Sequence, residues 1–274
     1  MDTPDRFGAG PEKNNRLFQE LEAMILTALG TGSGMIDPNR HFSAFHVRSG
    51  DSNFLIDAGE GVTRQLVRYR LDPKTLSAVF ISHSHADHMG GLPMLLQCMH
   101  LDGRKEKLIV CVPSGICSQM TLFLGLFQIY PARWSFPILF HPLEHGAVLE
   151  YSDLNLTALR NGHLDSLSVS ARSLGIGSDA YSFHFYEHPD YSVLYTSDIP
   201  SFSHLEKTGD IYLLLAETTH ITIEDIDRFA GLKGIDRTAA VHIPRPKPRG
   251  NVQGSFRWLK DGDTLQIPDP RDIR

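Results

Sequence analysis

Hydrophobic positions in this chain fall into short runs separated by turn residues, and their period changes from two to nearly four more than once. Residues 1–22 are polar, with Pro and Gly early and a helix-capable run from Asn14 to Met24, and they read as an accessory arm or short helix ahead of one domain over 23–274. Strands are expected at 43–47 and 53–57, then a helix over 60–70 in which Val62, Leu66 and Tyr69 share a face. The uninterrupted apolar run at 77–82 reads as a buried strand. A helix near 92–100, a strand over 108–112 and a strongly apolar helix over 116–130 follow; that last helix is expected to be buried, with a dimer contact or a substrate-facing wall as alternatives. Strands dominate the second half, at 155–160, 167–173, 181–186, 192–197, 212–216 and 239–243, with a helix near 223–229. Two runs of strands, each followed by helices, suggest two packed sheets with helices outside.

Immediately after the buried strand comes His83-Ser84-His85-Ala86-Asp87-His88, four metal-competent side chains in six residues. Side chains alternate along an extended backbone, so His83 and His85 share a side, while Asp87 and His88 fall on the turn that opens the next helix. One tight loop can thus serve two neighbouring ions. Imidazole with carboxylate and no thiolate suits Zn²⁺, with Mn²⁺ or Fe²⁺ as alternatives. The chain holds 14 histidines, so a neighbouring pair alone would mean little; the full HxHxDH spacing is what carries the reading.

This loop, with the upstream Asp57-Ala58-Gly59, resembles the metallo-β-lactamase-fold hydrolases, and in particular the branch that contains ribonuclease Z. Three further stretches carry the resemblance. Ile25-Leu26-Thr27-Ala28-Leu29-Gly30-Thr31-Gly32-Ser33-Gly34 is similar to that branch's opening strand and glycine turn. Leu55-Ile56-Asp57-Ala58-Gly59-Glu60-Gly61 is similar to its Asp-Cys-Gly-Glu-Gly segment, with Ala58 in place of Cys, and Gly90-Gly91-Leu92-Pro93 continues the pattern after the loop. The resemblance runs from about residue 24 to about 245 and implies an α/β fold, the αββα four-layer sandwich. It also implies more ligands downstream: a His, an Asp and a His, which fall on His163, Asp198 and His242, each at an expected strand end. The implied arrangement sets His83, His85 and His163 on one ion and Asp87, His88 and His242 on the other, with Asp198 spanning both. Asp57 is implied to steady the loop from behind. Two closely spaced ions would activate a bridging water and clamp both oxygens of an in-line displacement, with Asp87 placed to accept or orient the proton.

Two departures narrow the chemistry. Ribonuclease Z carries a His-Glu-Ala-Thr motif whose histidine assists catalysis, whereas this chain reads Ala216-Glu217-Thr218-Thr219, so His220 either substitutes from a neighbouring position or is a surface residue. About 35 residues separate His163 from Asp198, too few for the tRNA-clamping arm once strands are accommodated. With 26 basic against 32 acidic residues and a net charge of −6, long tRNA is an unfavourable substrate. Asp198 where antibiotic-hydrolysing members have Cys argues against a β-lactamase. Cyclic-nucleotide phosphodiesterases of this branch also lack a long arm.

The expected activity is therefore a dinuclear metal-dependent phosphodiesterase on small or single-stranded nucleotide substrates. A carboxylic ester, lactone or thioester hydrolase on the same ions, and a metal-binding relative without turnover, stay open. Arg245 and Lys247, kept extended by Pro246 and Pro248, are candidates to bind a substrate phosphate or carboxylate, while Arg104-Lys105-Glu106-Lys107 reads as a solvated loop. Cys98, Cys111 and Cys117 form no CxxC pair and read as buried thiols. With no apolar stretch long enough to span a bilayer and no signal pattern, a cytoplasmic protein is expected, with a homodimer possible by resemblance alone.

Overall fold

The computed structural model describes residues 24–151 and 154–268; the polar arm expected over 1–22 lies outside them. The first sheet takes β1 (Met24–Gly30), β2 (Ala44–Ser49), β3 (Ser52–Ile56), then α1 (Val62–Arg68), β4 (Leu76–Phe80), α2 (Ala86–Met89) and α3 (Leu92–Leu101). It continues through β5 (Leu108–Pro113), α4 (Ser114–Cys117), α5 (Met120–Leu126) and β6 (Ile138–Leu143). The second sheet takes β7 (Val148–Glu150), β8 (Asn155–Arg160), α6 (Ser168–Ser173), β9 (Tyr181–Tyr186), β10 (Val193–Tyr195) and β11 (Leu213–Glu217). It ends with α7 (Ile223–Lys233), β12 (Arg237–Val241) and β13 (Ser255–Trp258), after which β14 (Thr264–Ile267) returns to the first sheet.

Each sheet has seven strands, ordered β14-β1-β2-β3-β4-β5-β6 and β13-β12-β11-β10-β9-β8-β7. Antiparallel pairing at one end gives way to parallel pairing at β3-β4 in the first sheet and at β10-β11 in the second. Alternation decides which face each side chain serves. From β3 and β4, Phe54, Ile56, Ala78 and Phe80 enter the core between the sheets, where they meet Phe183, Phe185 and Tyr195. Their neighbours Leu55, Val79 and Ile81 point the other way, onto Leu66, Leu92, Leu95 and Leu96 of α1 and α3. Strands covered on both faces need an unbroken apolar run, which is why 77–82 shows no polar alternation. A third cluster packs α7, through Ile226, Phe229 and Ala230, on the outer face of β10 and β11. Thr222 caps that helix by accepting the Asp225 N–H, and Gly234 ends it at φ 65°. Helices therefore flank both sheets, and the expected αββα sandwich is the observed fold.

Several local expectations fail for identifiable reasons. Residues 168–173 form α6, not a strand: Val169 is 72% exposed, so the alternating Leu-Ser-Val-Ser-Ala pattern has no sheet face to cover. The apolar stretch 116–130 is not one buried helix; it breaks into α4 and α5, and only Met120 and Leu124 of α5 are buried, with Leu122, Leu126 and Phe127 on the surface. Arg104 is no solvated loop residue. It is 3% exposed and donates to the carbonyls of Lys74, Glu106 and Lys107. Of the cysteines, Cys111 is buried and its thiol is pushed up to about 12 by burial, whereas Cys98 and Cys117 are half-buried. No helix among the described residues is long and apolar enough to cross a membrane.

His46, on β2, is buried, and burial holds its imidazole down to about 4, with a partly offsetting hydrogen bond to Asn53. The unfolded chain takes up this proton below its ordinary value of 6.5 while the folded chain does not until about 4, so stability falls as pH drops through that window. His46→Gln should remove about 3 kcal/mol of that acid-side loss, read as the difference in urea-unfolding free energy between pH 7 and pH 4 on metal-stripped protein.

Candidate metal centre

The polar side chains of the loop and of the three downstream positions meet at one edge of the sandwich, where strands of both sheets end. After β4 the chain runs through Ile81 and Ser82 into the histidine loop, and His85, extended at ψ 147°, precedes α2, so that Asp87 and His88 sit in its single turn. The Asp57-Ala58-Gly59 segment lies directly beneath: a Cβ on Gly59 would stand 2.4 Å from the Asp87 carbonyl oxygen, so only glycine lets the two backbones approach. Asn161-Gly162-His163 follows β8, Thr196-Ser197-Asp198 follows β10, and His242 follows β12.

Two four-residue groups result, His83-His85-His163-Asp198 and Asp87-His88-Asp198-His242, each with candidate ligand atoms within 4.8 Å of one another. Asp198 belongs to both. Its Oδ2 lies 3.8 Å from His83 Nε2 and 3.6 Å from His163 Nε2, while Oδ1 lies 3.3 Å from both His88 Nε2 and His242 Nδ1. The other acid, Asp87, accepts from His242 Nε2 at 3.1 Å.

The fit of this cradle to cations can be tested on its own atoms. His83 Nε2, His88 Nε2, His163 Nε2, His242 Nδ1 and Asp198 Oδ1 are all buried and find no hydrogen-bond partner among the described residues. A buried polar atom left unpaired costs about 1–3 kcal/mol, so five converging on one spot call for a ligand that accepts electron pairs. Divalent cations would satisfy them. The protonation directions agree. Burial, reinforced by the charge of His88, holds His83 well below its ordinary range, and burial pulls His163 down to about 4, so both are neutral and able to donate a lone pair. Burial opposes ionisation of Asp198, yet the field of His88 and His242 holds its carboxyl well below the usual range. Burial likewise opposes ionisation of Asp87, which the His242 hydrogen bond overcomes.

Behind the cradle stands Asp57, fully buried. It accepts the Ser82 backbone N–H at 2.8 Å, the Ser82 hydroxyl at 3.0 Å, the Tyr195 hydroxyl at 2.9 Å and His88 Nδ1–H at 2.8 Å. The last bond fixes the His88 tautomer and leaves Nε2 facing Asp198. Ser197 Oγ donates to Ser82 Oγ at 2.8 Å, joining the second sheet to the same net.

His220 is 4.8 Å, ring to ring, from His163 and 5.8 Å from His242, on the open side of the cradle. Its Nδ1 is 3.1 Å from Glu217 Oε1 and its backbone N–H donates to Glu217 Oε2 at 2.8 Å. Glu217 is fully buried, and its hydrogen bond raises the His220 imidazole above its ordinary value. The sequence reading assigned Glu217 no role, nor Ser82, Tyr195 or Ser197. The only sequence signal was that Glu217 keeps its place in the altered Ala-Glu-Thr-Thr stretch. Arg245 is exposed, and Lys247 sets its Nζ 4.6 Å over the ring of Trp258 on β13.

Solved structures share this architecture. The metallo-β-lactamase fold protein YhfI from Bacillus subtilis superposes with a TM-score of 0.71 at 19% identity, over 89% of this chain and all of that one. The short form of human tRNase Z (ELAC1) gives 0.71 at 20%, also over 89% and 100%. In sequence, the ribonuclease Z of Methanothermobacter thermautotrophicus is 32% identical over 142 residues, 51% of this chain but only 45% of that protein, so the chain spans about half of this relative's length. Fold and sequence thus define a class, proteins of the metallo-β-lactamase fold with sequence similarity to ribonuclease Z over about half of this chain. Within that class, the chain belongs to the family described as anti-Pycsar protein Apyc1, which matches residues 24–221.

If Asp57 orients His88 as its bonds indicate, Asp57→Asn should weaken divalent-metal binding about 10- to 100-fold, read by competition with a chromophoric chelator.

Proposed function

We propose that the protein is a dinuclear metal-dependent phosphodiesterase acting on small or single-stranded nucleotide phosphodiesters. The observation that carries this reading is the shared carboxylate: Asp198 turns one oxygen to each histidine group, which suits two cations held side by side. His83, His85 and His163 would hold one and Asp87, His88 and His242 the other, with Asp198 common to both. When bound, such a pair supplies Lewis acidity toward phosphoryl oxygens and an activated water at neutral pH. Zn²⁺ fits the nitrogen-rich donor set, and Mn²⁺ or Fe²⁺ are alternatives.

The protein's own groups do the rest. Asp87, hydrogen-bonded to His242, stands at the cradle to orient the attacking water's proton. His220, held through Nδ1 by the buried Glu217, offers Nε2 to the leaving oxygen as proton donor, a role compatible with a protonated imidazole. It takes over from a position four residues earlier, where Ala216 is buried in the core. The interval between His163 and Asp198 is filled by α6, β9, β10 and tight turns, which supports a substrate smaller than a folded tRNA.

Hydrolysis of bis(p-nitrophenyl) phosphate by protein loaded with Zn²⁺ or Mn²⁺ tests the reading. Turnover should vanish on chelation and in His85→Ala. Two bound metals with hydrolysis of an aryl ester but not of the phosphodiester would sink it. His220→Ala should lower kcat on a diester with a nucleoside leaving group about 100-fold, while p-nitrophenolate, which leaves without a proton, should be nearly unaffected. Equal losses on both would remove His220 from the acid role.

A further inference from the structure

The two halves of the cradle are braced differently. In the Asp87-His88-His242 group the rings themselves are held, His88 by Asp57 at 2.8 Å and His242 by Asp87 at 3.1 Å. In the other group His83 has the Ser82 hydroxyl at 3.1 Å. Among the described residues, no hydrogen bond holds the ring of His85 or of His163. His85 takes its direction from the tight loop between β4 and α2, but His163 comes from the second sheet and must be aimed by the chain that carries it. That chain is the turn Asn161-Gly162-His163, with Gly162 at φ 77°. On its solvent side the turn is tied by half-exposed ion pairs from Arg160 to Asp165 and Asp179, contacts that contribute at most about 1 kcal/mol each.

On its inner side stands Asn161, fully buried at the first position past β8. Its side chain reaches in three directions. Oδ1 accepts the His163 backbone N–H at 3.1 Å, which closes the turn around Gly162. Nδ2 donates to the Ser182 hydroxyl of β9 at 3.1 Å and to the Thr196 carbonyl, just past β10, at 3.5 Å. Ser182 Oγ donates to that same carbonyl. Asn161 lies two residues before His163, and Thr196 two residues before Asp198. One flat amide, with donors on one side and an acceptor on the other, thus ties the strand end that carries His163 to the strand end that carries the shared carboxylate. Resting on the two-ion reading above, we propose that Asn161 is the positioning residue for the His163 half of the cradle. It sets the 3.6 Å approach of His163 Nε2 to Asp198 Oδ2, and with it the affinity for the ion that those two residues would share. A residue that merely stapled the sheet ends would, when removed, loosen both halves and weaken both ions together.

Titration of the full chain with Zn²⁺ against a chromophoric chelator tests this. Asn161→Ala should weaken one of two ions about 10- to 100-fold and leave the other within about twofold. His163→Ala should weaken the same ion. Adding Asn161→Ala to His163→Ala should then change the affinity of the remaining ion by less than about twofold, because residues that act through one ligand do not add. Asp57→Asn should act chiefly on the other ion. Asn161→Ser keeps an acceptor for the His163 N–H while giving up the amide; it should show the same selectivity with a smaller loss, and it serves in the cycle if urea unfolding shows that Asn161→Ala does not fold. Equal weakening of both ions by Asn161→Ala, or an undiminished effect in the His163→Ala background, overturns the inference and leaves the two-ion reading intact. If the unsubstituted protein binds a single Zn²⁺, the two-ion reading fails separately. Asn161→Ala and His163→Ala must then weaken that one ion without adding, and an ion indifferent to Asn161 overturns the proposal.

Discussion

Everything at the working edge of this fold depends on one buried carboxylate. Asp57 has no exposed surface, and removing its charge from water would be prohibitive without the hydroxyl, amide and imidazole donors that surround it. Those donors come from both halves of the structure: Ser82 and His88 from the first sheet, Tyr195 from the second. Satisfying the charge thus also sets the distance between the two sheets at their strand ends. The cradle inherits its geometry from that distance, since His83 and His88 hang from one sheet while Asp198 and His242 hang from the other.

Backbone strain is concentrated at the same edge. Asp57 at φ 57°, Ser197 at φ 50° and His242 at φ 46° all occupy the left-handed region without being glycine. Each is the first or second residue past the end of its strand, where the chain must turn sharply to bring a side chain across the gap between the sheets. Strain of this kind costs of order 1–3 kcal/mol per residue and persists only where surrounding contacts overdetermine it. Here the surroundings are the hydrogen-bonded net and two flanking cores. The fold spends part of its stability on holding donor atoms where they lack partners of their own.

Legibility in the sequence followed how local each feature is. The histidine loop could be read directly because its four side chains take their placement from one strand, one turn and one helical turn. The remote His163, Asp198 and His242 were legible only through order and resemblance, since nothing in Asn161-Gly162-His163 by itself says what will lie opposite. Glu217 went without a role because it acts through His220, three residues on, and the turn after β11 that brings the two into contact is not announced by their residue types. α6 was misread because alternation signals a strand only if a sheet offers it a neighbour. Arg104 was misread because its partners are backbone carbonyls, two of them in its own loop and one at Lys74, which no pattern of residue types can announce.

The return of β14 to the first sheet has a consequence for how the molecule comes into being. β1 pairs with β14 over Met24↔Ile267 to Thr27↔Thr264, and Asp261 just before β14 accepts from the Thr31 amide of the glycine turn and from the His41 amide beyond it. On the ribosome, β1 is made first among the described strands and β14 last. From the emergence of β1 until that of β14 the first sheet therefore carries an uncapped edge. Contacts so distant in sequence fold slowly, and an open edge is a template for the wrong partner. The nascent chain is most vulnerable to misassembly until β14 emerges, a period that chaperones and translation speed can lengthen or shorten without altering a single native contact.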